Sequence, residues 1–331
     1  MMTSKNAVYI NRLERQPGDF LFYMHQFAEA GLRAGFLPKQ MRRSPRHLFR
    51  RVMPAVLRAS HLLQTDRLRH RVLIITSRGD GILEAAYPHY LSYQIVPMLW
   101  DVWPSEQDRL FGDLRLLRCP LALVTSRQMA RRIEQELGIK TLWVPEGIDT
   151  DGFIQGGELA SRPIDIYELG RQHGPYHQVV RQAMSQGIVK TWKGNEYDTD
   201  GRLLRLAVST GAGLKELLSK SRLVTCFPKS DTASPSESGG IETLTQRYWE
   251  VMLSRALPIG RAPGELTDLI GYNPVIDIDW RDPCRQLGNI LANISSFQPL
   301  IERNYAAACE IAPWDKRMAA VKSFIVTNLL R

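Results

Sequence analysis

Residues 221–264 decide the fold class, and they read SRLVTCFPKSDTASPSESGGIETLTQRYWEVMLSRALPIGRAPG. The apolar run 223–227 predicts a buried strand, and a long loop of Ser, Pro and Gly follows it. We predict that the loop ends at Gly239 and Gly240, where a helix begins, and that a second strand follows at 257–259. Strand, helix and strand in this order are typical of a parallel α/β sheet.

The rest of the chain repeats this alternation of short β-branched runs and amphipathic stretches. Strands are predicted at 8–10, 72–76, 93–98, 121–125 and 141–144, and then at 164–169, 223–227, 257–259 and 275–278. Helical patterns lie between them, for example at 20–34, 128–137, 214–220 and 244–254. The alternation predicts parallel sheets with helices on both faces. Residues 190–202 are polar and have no pattern, which we interpret as an exposed loop or an insertion.

A segment rich in Gly, Ser and Pro at 149–163 divides the 331 residues into halves of similar length. At roughly 100–200 residues per domain, the length also suggests two domains. We predict an N-terminal domain at 1–155 and a C-terminal domain at 156–312. Because loops converge at the carboxyl ends of parallel strands, a cleft between the two sheets is the expected ligand site.

The net charge of +9 is concentrated in one segment. Residues 38–71 contain ten Lys and Arg side chains and a single acid, Asp66, so this segment carries the whole imbalance. It has one aromatic residue, Phe49, and the lack of stacking side chains argues against nucleic-acid binding. Residues 48–63 form a basic amphipathic pattern, which indicates either contact with an anionic membrane surface or packing on the domain core.

Composition argues against several other classes of protein. The four cysteines form no Cys-x-x-Cys pair and no set with histidines, so we expect no metal site and no redox site. The sequence shows no signal-peptide pattern and no run of about 18 apolar residues, so we expect a cytoplasmic protein. A nicotinamide-dependent oxidoreductase would need a Gly-x-Gly-x-x-Gly loop near the first strand, and none is present.

Two glutamates of the deciding stretch, Glu242 and Glu250, are eight residues apart. Both fall in the predicted helix, where eight residues place them on broadly the same side. A carboxylate among apolar residues, as at Glu250, is costly without a fixed partner, and a pair of ribose hydroxyls would satisfy it. The start of the helix would bind phosphate through its free N–H groups. Alternatively, Glu242 is an acid favoured by the helix dipole, and Glu250 pairs with Arg247 or Arg255.

This pattern resembles the donor site of retaining GT-B glycosyltransferases, especially those of family 4. The resemblance rests on Glu-x7-Glu followed by an apolar-Pro-apolar-Gly strand, and three further stretches agree with it. They read LVTSRQMARR at 123–132, WVPEGIDTDGF at 143–153 and IYELGR at 166–171. The resemblance implies an α/β protein with two Rossmann-like domains whose parallel sheets face a central cleft. It also implies that a C-terminal helix, at 313–331, packs back toward the N-terminal domain.

The resemblance assigns roles to individual residues. Glu242 would face the donor sugar, Glu250 would hold the ribose, and Arg171 would bind the diphosphate. The family's Lys shortly after that arginine is absent here, and Arg181 or Arg247 could take its place. The residues expected to bind the donor are Glu250, Gly239, Gly240, Thr243, Leu244, Thr245, Arg247, His173 and Phe227, and those expected to be catalytic are Glu242, Arg171 and Asp101.

Two of these residues also have simpler interpretations. Asp101 follows a predicted strand, within the stretch Trp-Asp-Val-Trp-Pro. A carboxylate at the carboxyl end of a strand fits acceptor or sugar binding, but Asp101 could equally cap a helix that begins near Ser105. His173 either contacts phosphate or is simply solvated.

The function that the resemblance implies is transfer of a hexosyl-type sugar, with retention, from a nucleotide-diphosphate sugar to an acceptor hydroxyl. The acceptor would be a carbohydrate or a lipid-linked molecule in polysaccharide, glycolipid or other glycoconjugate biosynthesis. The reaction would need no metal and no cofactor, and the basic segment would place it at the inner face of the membrane. Two alternatives stay open: a nucleotide-sugar 2-epimerase of the same fold, and a basic nucleic-acid-binding protein.

Overall fold

The computed structural model describes residues 7–12, 22–41, 55, 71–79, 81–198 and 202–330. The chain forms two compact units. Unit 1 contains Met1–Glu146, Pro235–Ile241 and Trp314–Arg331, and unit 2 contains Gly147–Ser234 and Glu242–Pro313. The domain limits at 155 and 312 stay predictions from the sequence.

Unit 1 is built on a six-stranded sheet in which all neighbouring strands are parallel. Its strands are β1 (Val8–Arg12), β2 (Leu37–Gln40), β3 (Val72–Arg78), β4 (Gln94–Trp100), β5 (Leu121–Val124) and β6 (Lys140–Trp143). Their order across the sheet is β2-β1-β3-β4-β5-β6. Connections between parallel neighbours must cross over the sheet, and helices make the crossovers.

Helices cover both faces of this sheet. Helices Phe22–Arg33 and Asp315–Leu329 lie on one face, and helices Ile82–Ala86, Gln107–Leu117 and Arg127–Leu137 lie on the other. The central strand β3 contributes apolar side chains to both faces of the sheet. Leu73 and Ile75 pack into one apolar cluster, and Val72 and Ile74 pack into the other. A strand buried on both sides reads as a continuous apolar run, which is why the sequence shows β3 clearly.

Unit 2 contains a five-stranded parallel sheet and a separate antiparallel pair. Its strands are β7 (Ile164–Glu168), β8 (Trp192–Gly194), β9 (Glu196–Tyr197), β10 (Leu203–Arg205), β11 (Ser221–Cys226), β12 (Leu257–Gly260) and β13 (Ile276–Asp277). The parallel sheet has the order β13-β12-β11-β7-β8, and β9 pairs with β10. Helices Gly174–Ser185 and Pro283–Ala292 pack on one face, and helices Gly211–Ser219, Gln246–Leu253 and Gly264–Ile270 pack on the other.

The prediction of parallel sheets with helices on both faces is confirmed. The interpretation as an exposed loop is wrong for Trp192–Gly194, which is the edge strand of the second sheet. Residues 199–201 lie outside the described residues. The edge strand is short and has no alternation of apolar and polar residues. It pairs with β7, which is distant in sequence. The Trp192 indole donates a hydrogen bond of 2.7 Å to Glu168, at the end of β7.

Most of the basic segment 38–71 lies outside the described residues; the structure describes 38–41, 55 and 71. The membrane prediction for 48–63 therefore falls on residues that it does not describe, apart from Ala55. No helix within the described ranges is long and apolar enough to cross a membrane.

Candidate active site

The strand order of unit 2 reverses between β7 and β11. Strand β8 lies on one side of β7, whereas β11, β12 and β13 lie on the other. Loops that leave the carboxyl ends of these two strands diverge, and open α/β sheets bind ligands at such a point. The loop after β7 contains Arg171 and His173, and the loop after β11 begins at Phe227.

Arg247 contacts both of these loops. Its guanidinium donates a long hydrogen bond of 3.5 Å to the backbone oxygen of Phe227. A Cβ atom added at Gly170 would lie 2.7 Å from the NH2 atom of Arg247. Gly170 also has a φ of +74°, so the backbone of the turn favours glycine. Arg247 therefore lies beside the turn that carries the exposed Arg171.

Helix Gln246–Leu253, which contains Arg247 in its first turn, begins beside the loops that follow β7 and β11. Its N-cap is Thr245, which has an extended backbone (φ −113°, ψ 159°). The Thr245 side chain makes no capping hydrogen bond to the helix. The first N–H groups of a helix lack partners inside it and carry the positive end of its dipole. The preceding Leu244 N–H is held differently, since it donates at 2.8 Å to Glu265, a carboxylate that is 3% exposed. The buried carboxylate thus fixes the segment that leads into the helix.

Glu242 lies in that extended segment, and its carboxylate is held on two sides. One oxygen forms an ion pair with the guanidinium of Arg261. The other oxygen accepts a hydrogen bond of 3.3 Å from the Gly264 N–H. The Glu242 side chain is still 31% exposed, so the carboxylate is oriented and a ligand can reach it. Sequence analysis missed Arg261, although its place directly after β12 is a usual position for functional residues.

Glu250 lies inside the helix and is 9% exposed. Burial raises the pKa of its carboxyl group from 4.5 to about 7, while the charges of Arg247 and Lys215 oppose the rise. Lys215 itself donates to the backbone oxygen of Asp151 at 3.1 Å and lies over the Phe153 ring. A carboxyl group in this environment gains from a ligand that donates hydrogen bonds to its ionised form.

His173 has a local structural role. Its Nδ1 accepts a hydrogen bond of 3.2 Å from the Tyr176 N–H and so caps helix Gly174–Ser185. Its ring stacks on the buried Phe227, with centroids 4.2 Å apart and planes 12° from parallel. Burial lowers the pKa of His173, and the charge of Asp231 opposes that effect. The ring is therefore mostly neutral at pH 7, and it joins the two loops through packing.

The arrangement as a whole favours an anion. Guanidinium groups and the start of a helix, which carries the positive end of the helix dipole, lie at the carboxyl edge of the sheet. This is the geometry that binds phosphate in other α/β proteins. Within the part of the chain that the structure describes, no group of three or more His, Cys, Asp or Glu side chains could hold a metal ion.

Comparison with known proteins finds similar solved structures but no matching protein family. No protein-family model and no curated protein matches the chain. HepE of Anabaena, solved with UDP and glucose, aligns with a TM-score of 0.61 at 10% identity, over 97% of this chain and 99% of that one. Sucrose-phosphate synthase from Thermosynechococcus elongatus aligns with a TM-score of 0.59 at 12% identity, over 97% and 98%. AviGT4, a glycosyltransferase of avilamycin A biosynthesis, aligns with a TM-score of 0.56 at 12% identity, over 97% of each chain.

The chain has the GT-B fold. The expectation of a GT-B protein with two Rossmann-like parallel α/β units is thereby confirmed. At these identities the likeness establishes the fold, and the roles of single residues rest on the geometry of the site.

One expectation for the helix that contains Glu250 is wrong. The helix begins at Gln246 and not at Gly239 or Gly240. The two glycines have φ values of +53° and +71°, which a helix cannot contain, and they belong to unit 1. A Cβ atom at Gly239 would lie 2.6 Å from Pro104. Glu242 consequently precedes the helix that contains Glu250, and the argument that both point to one side of a helix does not hold.

Asp101 belongs to unit 1 of the GT-B fold, directly after β4. It does not cap the following helix, since the caps there are Trp103 and Glu106. Its backbone has a φ of +49°, and its carboxylate accepts a hydrogen bond of 3.4 Å from Tyr23 and lies 3.6 Å from the Arg78 guanidinium. Burial and the charge of Asp101 together raise the pKa of Tyr23.

The structure divides the expected GT-B site residues into two sets. Those of unit 2 come from the carboxyl-edge loops and the helix that follows: Arg171, His173, Phe227, Glu242, Thr243, Leu244, Thr245, Arg247 and Glu250. Within this set Thr243 is notable, because its hydroxyl is buried and has no hydrogen-bond partner among the described residues. Gly239, Gly240 and Asp101 belong to unit 1.

Proposed function

We propose that this protein is a glycosyltransferase that moves a sugar from a nucleotide-diphosphate sugar to an acceptor hydroxyl. One observation carries the proposal: Arg247, on the first turn of helix Gln246–Leu253, lies against the turn that carries Arg171, at the strand reversal of unit 2. Two guanidinium groups and a helix start in one place suit a diphosphate. The HepE structures were solved with UDP, with UDP and glucose, and with UDP-glucose, which supports a UDP-sugar as the donor.

The mechanism follows from the charge that develops during transfer. The bond from the anomeric carbon to the diphosphate oxygen breaks, so negative charge grows on the leaving group. Arg171, Arg247 and the helix N–H groups would stabilise this charge, and binding that strengthens in the transition state raises kcat. We include in the proposal that the reaction proceeds without a metal ion and with retention of the anomeric configuration.

Two carboxylates would hold the rest of the donor. Glu250 would accept hydrogen bonds from the ribose hydroxyls, which provide the partner that its buried carboxylate needs. Glu242 would accept hydrogen bonds from hydroxyls of the transferred sugar, because its carboxylate is oriented and partly exposed. Thr243, next to Glu242, has a buried hydroxyl without a hydrogen-bond partner among the described residues, and this hydroxyl would make one more polar contact with the donor.

We propose that unit 1 binds the acceptor. Asp101, Tyr23 and Arg78 form a polar cluster at the carboxyl ends of β3 and β4. Asp101 could accept a proton from an attacking hydroxyl, and Tyr23 and Arg78 could donate hydrogen bonds to a carbohydrate.

A panel of nucleotides and nucleotide-sugars tests the donor. Thermal shifts should be largest for one nucleoside diphosphate and its sugar conjugates, with UDP and UDP-glucose expected to lead. Subsequent incubation with UDP-glucose should release UDP. Conversion of an N-acetyl-hexosamine conjugate into its 2-epimer without transfer would assign the protein to the epimerases. If no nucleotide of the panel raises the melting temperature, the proposal is contradicted.

We further propose a protein that works in the cytoplasm at an anionic membrane, held through residues 38–71. Each basic residue near such a surface adds about 1 kcal/mol, so ten of them suffice for reversible attachment. The protein should sediment with anionic vesicles, less so at high salt, and not with neutral ones. Replacing Arg42, Arg43, Arg50 and Arg51 by Glu should abolish sedimentation and spare UDP binding. Equal sedimentation of that variant would exclude this segment as the contact.

A further inference from the structure

Arg261 holds three loops of unit 2 together through its side chain. Its Nε donates to Asp231 at 2.7 Å, its NH1 pairs with Glu242, and its NH2 pairs with Asp231 and reaches the Ser230 hydroxyl at 3.2 Å. Every nitrogen of the guanidinium therefore already has an acceptor.

The backbone of Arg261 is fixed as firmly as its side chain. Its N–H donates to Cys226 at the end of β11 at 2.9 Å, and its carbonyl accepts from the Tyr248 hydroxyl at 2.8 Å. The preceding Gly260 lies so close to β11 that a Cβ atom there would be 2.1 Å from the Cys226 oxygen. The guanidinium thus starts from a point that the sheet and helix Gln246–Leu253 both define.

Two carboxylates share this one cation. The hydrogen bonds that Arg261 donates to Asp231 and Glu242 raise its pKa, so it stays charged. Burial alone would raise the pKa of Asp231, but the hydrogen bonds from Arg261 and Ser230 lower it, so this carboxyl group is ionised as well. Asp231 uses both of its oxygens on Arg261. It therefore braces the guanidinium, and the ion pair with Glu242 uses the remaining nitrogen.

We propose that Arg261, braced by Asp231, is a positioning residue that sets the orientation of Glu242 toward the donor sugar. The inference rests on the proposed function and adds a specific device to it. A planar guanidinium can hold two carboxylates in one fixed geometry, whereas a lysine ammonium is a point charge without such directionality. A misplacement of about 1 Å in a reacting geometry costs about 100-fold in rate. Loss of Arg261 should therefore affect turnover far more than nucleotide binding.

The test compares Arg261→Met and Arg261→Lys with wild type, using UDP and UDP-glucose as probes. Arg281→Met is the matched control, because Arg281 is a highly exposed arginine of unit 2 that pairs only locally with Asp279. Melting temperatures identify variants that fold. We expect both Arg261 variants to bind UDP within about twofold of wild type, to lose the extra affinity that the glucose provides, and to turn over about 100-fold more slowly. The control should match wild type in all three measurements.

Several outcomes would overturn the positioning role. Full turnover by Arg261→Lys would show that charge alone is needed, and full turnover by a folded Arg261→Met would show that neither charge nor geometry matters. An equal loss of UDP and UDP-glucose affinity would mean that Arg261 holds the nucleotide instead. If Arg261→Met fails to fold, Arg261→Lys decides alone. A wild-type protein that binds neither probe would instead refute the proposed function itself.

Discussion

Glu250→Gln should make the ligand-free protein more stable at alkaline pH and leave it unchanged at acid pH. The folded-state pKa of Glu250 is about 7, against 4.5 for an ordinary glutamate. As pH rises, the unfolded chain releases this proton first, so Glu250 lowers the stability of the wild type progressively between about 4.5 and 7. The difference between the two pKa values corresponds to about 3 kcal/mol at pH 8, where the buried group is mostly ionised. Glutamine has nearly the same shape and no charge to bury.

Urea unfolding of ligand-free protein at pH 5 and pH 8 measures this difference. Wild type and Glu250→Gln should differ little at pH 5, and the variant should gain about 3 kcal/mol at pH 8. Glu158→Gln is the control, because Glu158 is an exposed glutamate of unit 2 and its replacement should change neither value. An equal stability difference at both pH values would show that Glu250 does not ionise in this range.

Nucleotide binding should couple to the same proton. Ribose hydroxyls donate to the ionised carboxylate, so UDP binding lowers the pKa of Glu250 and releases a proton near pH 7. Because about a tenth of the group is ionised at pH 6 and about nine tenths at pH 8, affinity should rise about tenfold over that range. Calorimetry of Glu250→Gln at the same pH values measures how much of the pH dependence of affinity comes from the phosphates of UDP itself. Identical pH profiles for wild type and variant would refute the ribose contact.

Three further predictions concern the reaction. Arg171→Ala should lower kcat about 100-fold and raise the donor KM little, as expected for a group that stabilises developing charge; an effect on KM alone, in steady-state assays with Arg281→Ala as control, would make it a binding residue. Asp101→Asn keeps a residue type that tolerates positive φ, so the variant should fold, bind UDP normally and lose turnover with the acceptor; unchanged transfer rates would exclude Asp101 from the reaction. Transfer should continue in excess EDTA, and its loss with recovery on Mg²⁺ addition would contradict a metal-independent mechanism.

The parallel sheets could be predicted from the sequence because burial on both faces leaves a direct pattern. Strands such as β3 and β11 are short apolar runs bounded by turns. The edge strand β8 was missed because it is only Trp192–Gly194. Its membership in the sheet depends on β7, to which the chain returns after helix Gly174–Ser185.

The start of helix Gln246–Leu253 could not be predicted for a different reason. Glycine before an apolar run suggests a helix start, but Gly239 and Gly240 adopt left-handed backbone angles inside unit 1. The true start is fixed by Glu265, which accepts the Leu244 N–H from 21 residues away. Arg261 was missed likewise, because its partners Asp231 and Glu242 come close only in the folded unit. Local sequence cannot show hydrogen bonds over such distances.

Release of UDP from UDP-glucose by the purified protein is the measurement that tests the central claim most directly. Chromatography of the reaction mixture should show UDP accumulating with time in wild type, faster when an acceptor is present. The rate should fall about 100-fold in Arg171→Ala, because the leaving diphosphate loses its stabilising charge. If UDP-glucose and every other nucleotide-sugar of the panel stay intact, with the protein folded and an acceptor mixture present, the protein is not the glycosyltransferase proposed from its fold and site.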